Sequence, residues 1–331
     1  MRLFWDDRQR LHAPAGEFFN GAMHGAAETP ARVAAILNAG IGQPESPADQ
    51  GLGPILQVHD KGYIEFLQAA HGDWLAAGRS GDAYPYTFPV VGRRSRQWSR
   101  IDATLGNYSF DTSTPIGPGT WQAAYWSAQT ALAAVDAVLN GESSSSFGLC
   151  RPPGHHAGAD YCGGYCYLNN AAIAAERALA AGRNRIAILD VDYHHGNGTQ
   201  DIFAGRNDVS FASIHADPGT DYPFYWGHPD ENGPNVLNLP LARGTAWDVY
   251  EPELLKAVEW IGRQSPELLI VCYGADTHEA DPISYFQLRT RDYGPMAKHI
   301  ASLGLPTLIL MEGGYAVDAL GGNVAEFLRG F

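Results

Sequence analysis

Residues 190–198 read Asp-Val-Asp-Tyr-His-His-Gly-Asn-Gly, directly after the apolar run 186–189. On an extended chain, side chains two apart point the same way, so Asp192 and His194 can grip one ion together. A second apolar run, from Leu268, ends on Asp276 and brings another carboxylate. One imidazole and two carboxylates leave a coordination position for water, the open arrangement of catalytic zinc. No thiolate joins them, so ferrous iron suits the same donors. An isolated Asp-x-His more often caps a helix and packs its imidazole in a polar core. The whole run at a strand end outweighs that reading.

His155 and His156 follow Pro152-Pro153-Gly154, a rigid turn able to hold two imidazoles beside the metal. Neutral imidazole near pH 7 can take a proton from an attacking water and pass it to a leaving amine. Asp190 and Asn197 are placed to hydrogen-bond the outer nitrogens of the pair and fix their tautomers. His195 is read as structural. Glu312-Gly313-Gly314-Tyr315 puts a phenol after two glycines that let the backbone approach closely. Its hydroxyl would donate to an oxyanion that zinc polarises from the other side.

For these groups to meet, the chain must bring several strand ends together. From about residue 145 short β-rich runs alternate with alanine-rich amphipathic stretches: FGLC, RIAILDVD, VSFASIH, VLNLPL, LLIVCYGAD and PTLILMEGG. That alternation predicts a mostly parallel sheet flanked by helices. Helices are expected at 29–38, 60–77, 121–139, 169–181, 247–264, 292–303 and 316–331. In such a sheet functional groups gather at the carboxyl ends of strands, where the unusual polar residues fall here. Residues 79–120 are rich in Gly, Pro, Ser and Arg without periodicity, a long surface loop inserted in a single domain spanning 1–331.

The chain has 331 residues and a formal charge of −14, which disfavours the phosphate backbone of nucleic acid and attracts cations. No apolar run approaches the roughly 18 residues that span a bilayer. The amino terminus, MRLFWDDRQR, has acidic residues where a signal peptide needs an apolar stretch, so no membrane partner and a cytoplasmic location are expected. Cys150, Cys162, Cys166 and Cys272 lie on or beside apolar segments and read as buried packing residues.

Six motifs together resemble the histone deacetylase superfamily, in its class II branch and in the bacterial acetylpolyamine amidohydrolases. They are RPPGHHA at 151–157, GGYCYLNNAAIAA at 163–175, ILDVDYHHGNGTQDIF at 188–203, FASIHADP at 211–218, GADTHEADP at 274–282 and MEGGY at 311–315. The likeness runs from about Pro30 to the end. It implies the arginase/deacetylase α/β fold, with a central sheet of about eight strands. It implies zinc on Asp192, His194 and Asp276, His155 and His156 as general acid/base pair, and Tyr315 as oxyanion donor. It also implies a structural potassium on the Asp190 side chain, the carbonyls of Asp192, His194 and Ile214, and the Ser213 hydroxyl. Tyr165 and Tyr222 stand where paired aromatics sandwich the aliphatic stem of the substrate.

The resemblance further implies a homodimer, paired through the segment beginning at Arg79. Asp102 falls where the polyamine enzymes carry a glutamate that meets the distal ammonium, and His278 replaces an apolar or small residue at the pocket rim. The expected reaction is hydrolysis of a small N-acetylated amine. The alternative is an acyl-lysine protein deacetylase, and intact ligands, histidines and tyrosine argue against a silent binding module.

Overall fold

Runs such as Ile186–Asp190 and Leu268–Tyr273 are buried at every position, which suits strands covered on both faces. The computed structural model describes residues 1–90 and 98–331. Its strands are β1 (Arg2–Phe4), β2 (Glu17–Phe19), β3 (Ala22–His24), β4 (Ser145–Gly148), β5 (Ile186–Asp190), β6 (Val209–Ala216), β7 (Val236–Leu241), β8 (Leu268–Tyr273) and β9 (Thr307–Met311). Its helices are α1 (Ala31–Leu37), α2 (Lys61–Ala76), α3 (Ile101–Asn107), α4 (Thr120–Leu139), α5 (Asn170–Ala180), α6 (Asn197–Phe203), α7 (Trp247–Gln264), α8 (Tyr293–Ala301) and α9 (Val317–Leu328).

Seven strands form one parallel sheet in the order β1-β4-β9-β8-β5-β6-β7, while β2 and β3 make a separate antiparallel hairpin. Among the described residues the sheet thus has seven strands, in keeping with the expectation of about eight. Alternate side chains feed two cores. Leu189, Val271 and Ile309 pack with α7, α8 and α9 on one face, and Ile188, Ile270 and Leu308 pack with α4 and α5 on the other. A third cluster joins α2 and α3 to the flank of α4. Helix starts are fixed locally: Asp60 accepts the amides of Gly62 and Tyr63 before α2, and Asn169 accepts that of Ala172 before α5.

The stretch 79–120 is not wholly irregular, since it contains α3 and an antiparallel bridge between Ala83 and Ile116. Residues 91–97 of it lie outside the described residues. All four cysteines are buried and unpaired. Among the described residues no helix is long and apolar enough to cross a membrane.

Candidate active site

From β5 the chain moves outward to β6, whereas from its neighbour β8 it moves the opposite way to β9. Loops leaving two adjacent strands in opposite directions open a crevice at their carboxyl ends. Asp192 and His194 stand just beyond β5, and Asp276 just beyond β8, so they meet across that crevice. Their donor atoms all lie within 4.8 Å of one another. His194 Nδ1 is 3.1 Å from Asp276 Oδ2 and 3.4 Å from Asp192 Oδ1. Backbone amides aim the carboxylates: His194 donates to Asp192 Oδ1 at 2.8 Å, Gly313 to Asp192 Oδ2 at 2.8 Å and Tyr193 to Asp276 Oδ1 at 3.0 Å.

This trio fits a small divalent cation. A Cβ on Gly313 would stand 2.4 Å from Asp276 Oδ2 and 2.6 Å from Asp192 Oδ2, so glycine keeps the space beside both carboxylates clear. Burial and the neighbouring Asp192 push the Asp276 carboxyl up to about 7, the strain of two buried carboxylates that a cation relieves. A second cluster, His155, Cys166 and Glu312, is differently committed. Burial holds the Cys166 thiol well above its usual range, and Glu312 Oε2 accepts the amides of Gly154 at 2.7 Å and His155 at 3.2 Å.

The paired histidines sit with ring centroids 4.0 Å apart, each with its own partner. His155 Nδ1 lies 2.9 Å from Asp190 Oδ2, and His156 Nδ1 lies 2.7 Å from Asn197 Oδ1. Burial acts to lower His155, but the Asp190 and Asp192 carboxylates outweigh it and raise the ring to about 10. Burial, His155 and His194 all depress His156 well below the usual imidazole range. The carboxamide oxygen can only accept, so it holds the proton of neutral His156 on Nδ1 and leaves Nε2 as a base.

Tyr315 emerges from the turn after β9. Its amide donates to Asp281 Oδ2 at 2.7 Å, and burial keeps its phenol protonated far above pH 10. The turn is gripped by buried Arg32, which donates to the carbonyls of Gly314 at 2.6 Å and Glu312 at 2.5 Å. Glu28 Oε1 binds Arg32 at 3.0 Å and Arg151 at 2.7 Å, linking this turn to the residue that opens the histidine turn. This network was not read from sequence. Glu28 and Arg32 stand four apart, an ion-pair spacing, but Arg151 and the turn they hold are distant in the chain.

His156, His194, Tyr165, Tyr222 and Tyr315 line one cavity of about 480 Å3. Tyr165 meets the Tyr315 ring at 5.6 Å and Tyr222 meets His156 at 5.0 Å, both edge to face. Glu17 and Asp111 also line it, although the sequence analysis overlooked both. Glu17 is 5% exposed, and its carboxylate lies beside the Tyr165 hydroxyl. The Asn20-Gly21 turn between apolar residues was the one local sign of the hairpin that carries it.

One expected substrate contact, Asp102, and one expected rim residue, His278, do not line the cavity. Asp102 lies in the first turn of α3, paired with Arg79 and with Arg100 at 2.8 Å, and faces a separate depression beside Trp98. Two guanidiniums claim its short carboxylate, which does not reach the cavity. His278 is 7% exposed and accepts the Ala280 amide at 3.2 Å, so it packs beneath the rim. His195 is a core residue, 3.0 Å from both Gln200 Oε1 and Asn238 Oδ1. Asp190 and Ser213 are register partners across β5 and β6, next to Ile214, and the Ser213 hydroxyl lies 2.8 Å from His215 Nδ1.

The family model for the histone deacetylase domain matches residues 27–331. Acetylpolyamine amidohydrolase 1 of Pseudomonas aeruginosa is 48% identical, over 100% of this chain and 99% of that protein. Acetylpolyamine amidohydrolase of Mycoplana ramosa is 43% identical, over 100% and 99% respectively. The crystal structure of acetylpolyamine aminohydrolase from Burkholderia pseudomallei superposes with a TM-score of 0.95 at 39% identity, covering 100% of this chain and 98% of that one.

Proposed function

Because the chain belongs to the histone deacetylase domain family, we propose that it hydrolyses the amide of a small, cationic N-acetylated amine of the acetylpolyamine type. The products are acetate and the free amine. The observation that carries this reading is the single cavity in which a neutral imidazole, a protonated phenol and a three-donor cation site meet, walled by the carboxylates Glu17 and Asp111. Carboxylates on the wall of a cavity favour a positively charged N–H donor, which a protonated amine chain supplies. Relatives named for acetylpolyamines, similar over their whole length, support the same substrate class.

Asp192, His194 and Asp276 would hold one zinc ion, with ferrous iron suited to the same donors. When bound, zinc polarises the acetyl carbonyl and makes water a better nucleophile. His156 Nε2 takes the proton from water as the new C–O bond forms. The Tyr315 hydroxyl donates to the carbonyl oxygen as it becomes an oxyanion. As the C–N bond breaks, the His156 imidazolium returns its proton to the departing nitrogen. His155, clamped by Asp190, completes the acid/base pair by supplying positive charge beside it. Tyr165 and Tyr222 flank the aliphatic stem. A potassium ion among Asp190, Ser213 and the carbonyls of Asp192, His194 and Ile214 would brace the floor. Exposed Tyr86, Phe88, Val90 and Trp98 on the segment after Arg79 suit pairing of two copies, and we read the protein as a homodimer.

The test is metal content beside turnover of acetylputrescine. Chelation should abolish turnover and added zinc restore it, and Asp192→Ala and Asp276→Ala should lose both metal and activity. Full activity in a metal-free variant would overturn the reading.

A further inference from the structure

Four contacts close a circuit around His156. Asp111 Oδ2 accepts the Gly164 amide at 2.6 Å and the Tyr222 hydroxyl at 2.9 Å. Gly164 sits directly on the His156 ring, since a Cβ there would stand 2.1 Å from Cδ2. Tyr222 meets the same ring edge to face at 5.0 Å. One carboxylate oxygen therefore gathers the two groups that press on the catalytic base. We propose that Asp111 is a specificity-determining positioning residue, a latch that fixes the channel beside His156 to the width of an unbranched amine chain. The proposal rests on the amidohydrolase reading of the site.

The neighbours of Asp111 reinforce the same grip. Phe110 stacks on Tyr222 at 5.6 Å and fills the space beside Gly163, where a Cβ would come within 2.0 Å of its ring. Thr114 Oγ1 accepts the Tyr165 amide at 3.0 Å, holding a residue whose φ of 65° lies in the left-handed region. Thr112 donates to the Phe18 carbonyl at 2.8 Å, fastening the β2–β3 hairpin to the same segment. Both aromatic residues flanking the substrate stem are thus tied to residues 110–114.

The latch requires an acceptor oxygen with two free lone pairs. Asp111 Oδ2 serves both donors with its two lone pairs, and Asp111 Oδ1 is already taken by the Ser113 amide at 3.1 Å. Burial first, and then Asp111, hold the Tyr222 phenol well above its usual range, so it remains a donor. Without the acceptor, a half-buried phenol and a half-buried amide lose their partner together. Tyr222 then swings from the channel wall, and Gly164 no longer holds His156 in register.

The test compares kcat/KM for linear N-butylacetamide, branched N-sec-butylacetamide and acetylputrescine. Asp111→Ala should lower kcat/KM for the linear amide by about tenfold and shrink the linear-to-branched preference by about fivefold. Tyr222→Phe should shrink that preference comparably, and the double variant should add little, because both break one latch. Asp111→Asn keeps one oxygen for the two donors and should hold the preference to within about twofold of wild type. An unchanged preference in Asp111→Ala, or additive losses in the double variant, would overturn the latch. So would Asp111→Asn impairing only the cationic substrate while Asp111→Ala keeps the preference, which makes Asp111 a charge site alone. Should Asp111→Ala fail to fold, Tyr222→Phe decides: a shrunken preference supports the latch and an unchanged one refutes it.

Discussion

At Tyr315 a hydroxyl, an electron-rich ring and a cation share one small space. Arg32 lies 4.9 Å over the ring, so the phenol is steadied from behind while its hydroxyl faces the cavity. Tyr315→Phe keeps the ring, and with it the cation contact and the fold. Its cost should fall on the chemical step, by about a hundredfold or more in kcat, the scale of losing one oxyanion donor. Single-turnover rates check this, and an unchanged rate would remove Tyr315 from the mechanism. His156 makes a prediction about pH. Because burial and the neighbouring His155 depress it, the ring stays neutral and able to accept a proton below the usual imidazole value of 6.5. The acid limb of kcat/KM should therefore lie below pH 6.5. Asn197→Asp would set an ionised carboxylate against Nδ1, favour the imidazolium and move that limb to higher pH, by about one unit or more. A limb that does not move would make another group the base.

Four adjacent strands, β4, β9, β8 and β5, deliver the histidine pair, the phenol and the cation ligands, and the turns after them decide how closely these approach. Gly313 lies where the turn after β9 passes both carboxylates. Gly313→Ala would drive a methyl to 2.4 Å from Asp276 Oδ2, so the protein should fold but retain far less metal. Metal analysis of the purified variant checks this, and stoichiometric zinc would refute it. Most of these elements were legible in the sequence, because strands buried on both faces read as unbroken apolar runs ending in polar residues. Arg2–Phe4 was not, since three residues carry no measurable period. α6 was not expected either, since Asn197 and Gly198 at its start are poor helix formers. Glu17 and Asp111 were invisible for another reason. A carboxylate in a hairpin or an aperiodic stretch looks like surface until long-range folding turns it inward. Asp102 shows the converse, an expected ligand that two nearby arginines claim.

The molecule as a whole carries a charge of −14, so cationic substrates are drawn towards it before any pocket contact forms. On the wall of the cavity, Glu17 and Asp111 give the same sign of charge a fixed location. Long-range attraction alone would favour any cation, a basic peptide included. The confined walls favour a slender one. Relative kcat/KM under the same conditions for acetylputrescine, N-butylacetamide and an acetylated histone-tail peptide tests this preference. Acetylputrescine should lead both others by about tenfold or more, at least about 1.4 kcal/mol of transition-state discrimination. A peptide preferred by the same margin would contradict it and make the protein an acyl-lysine deacetylase.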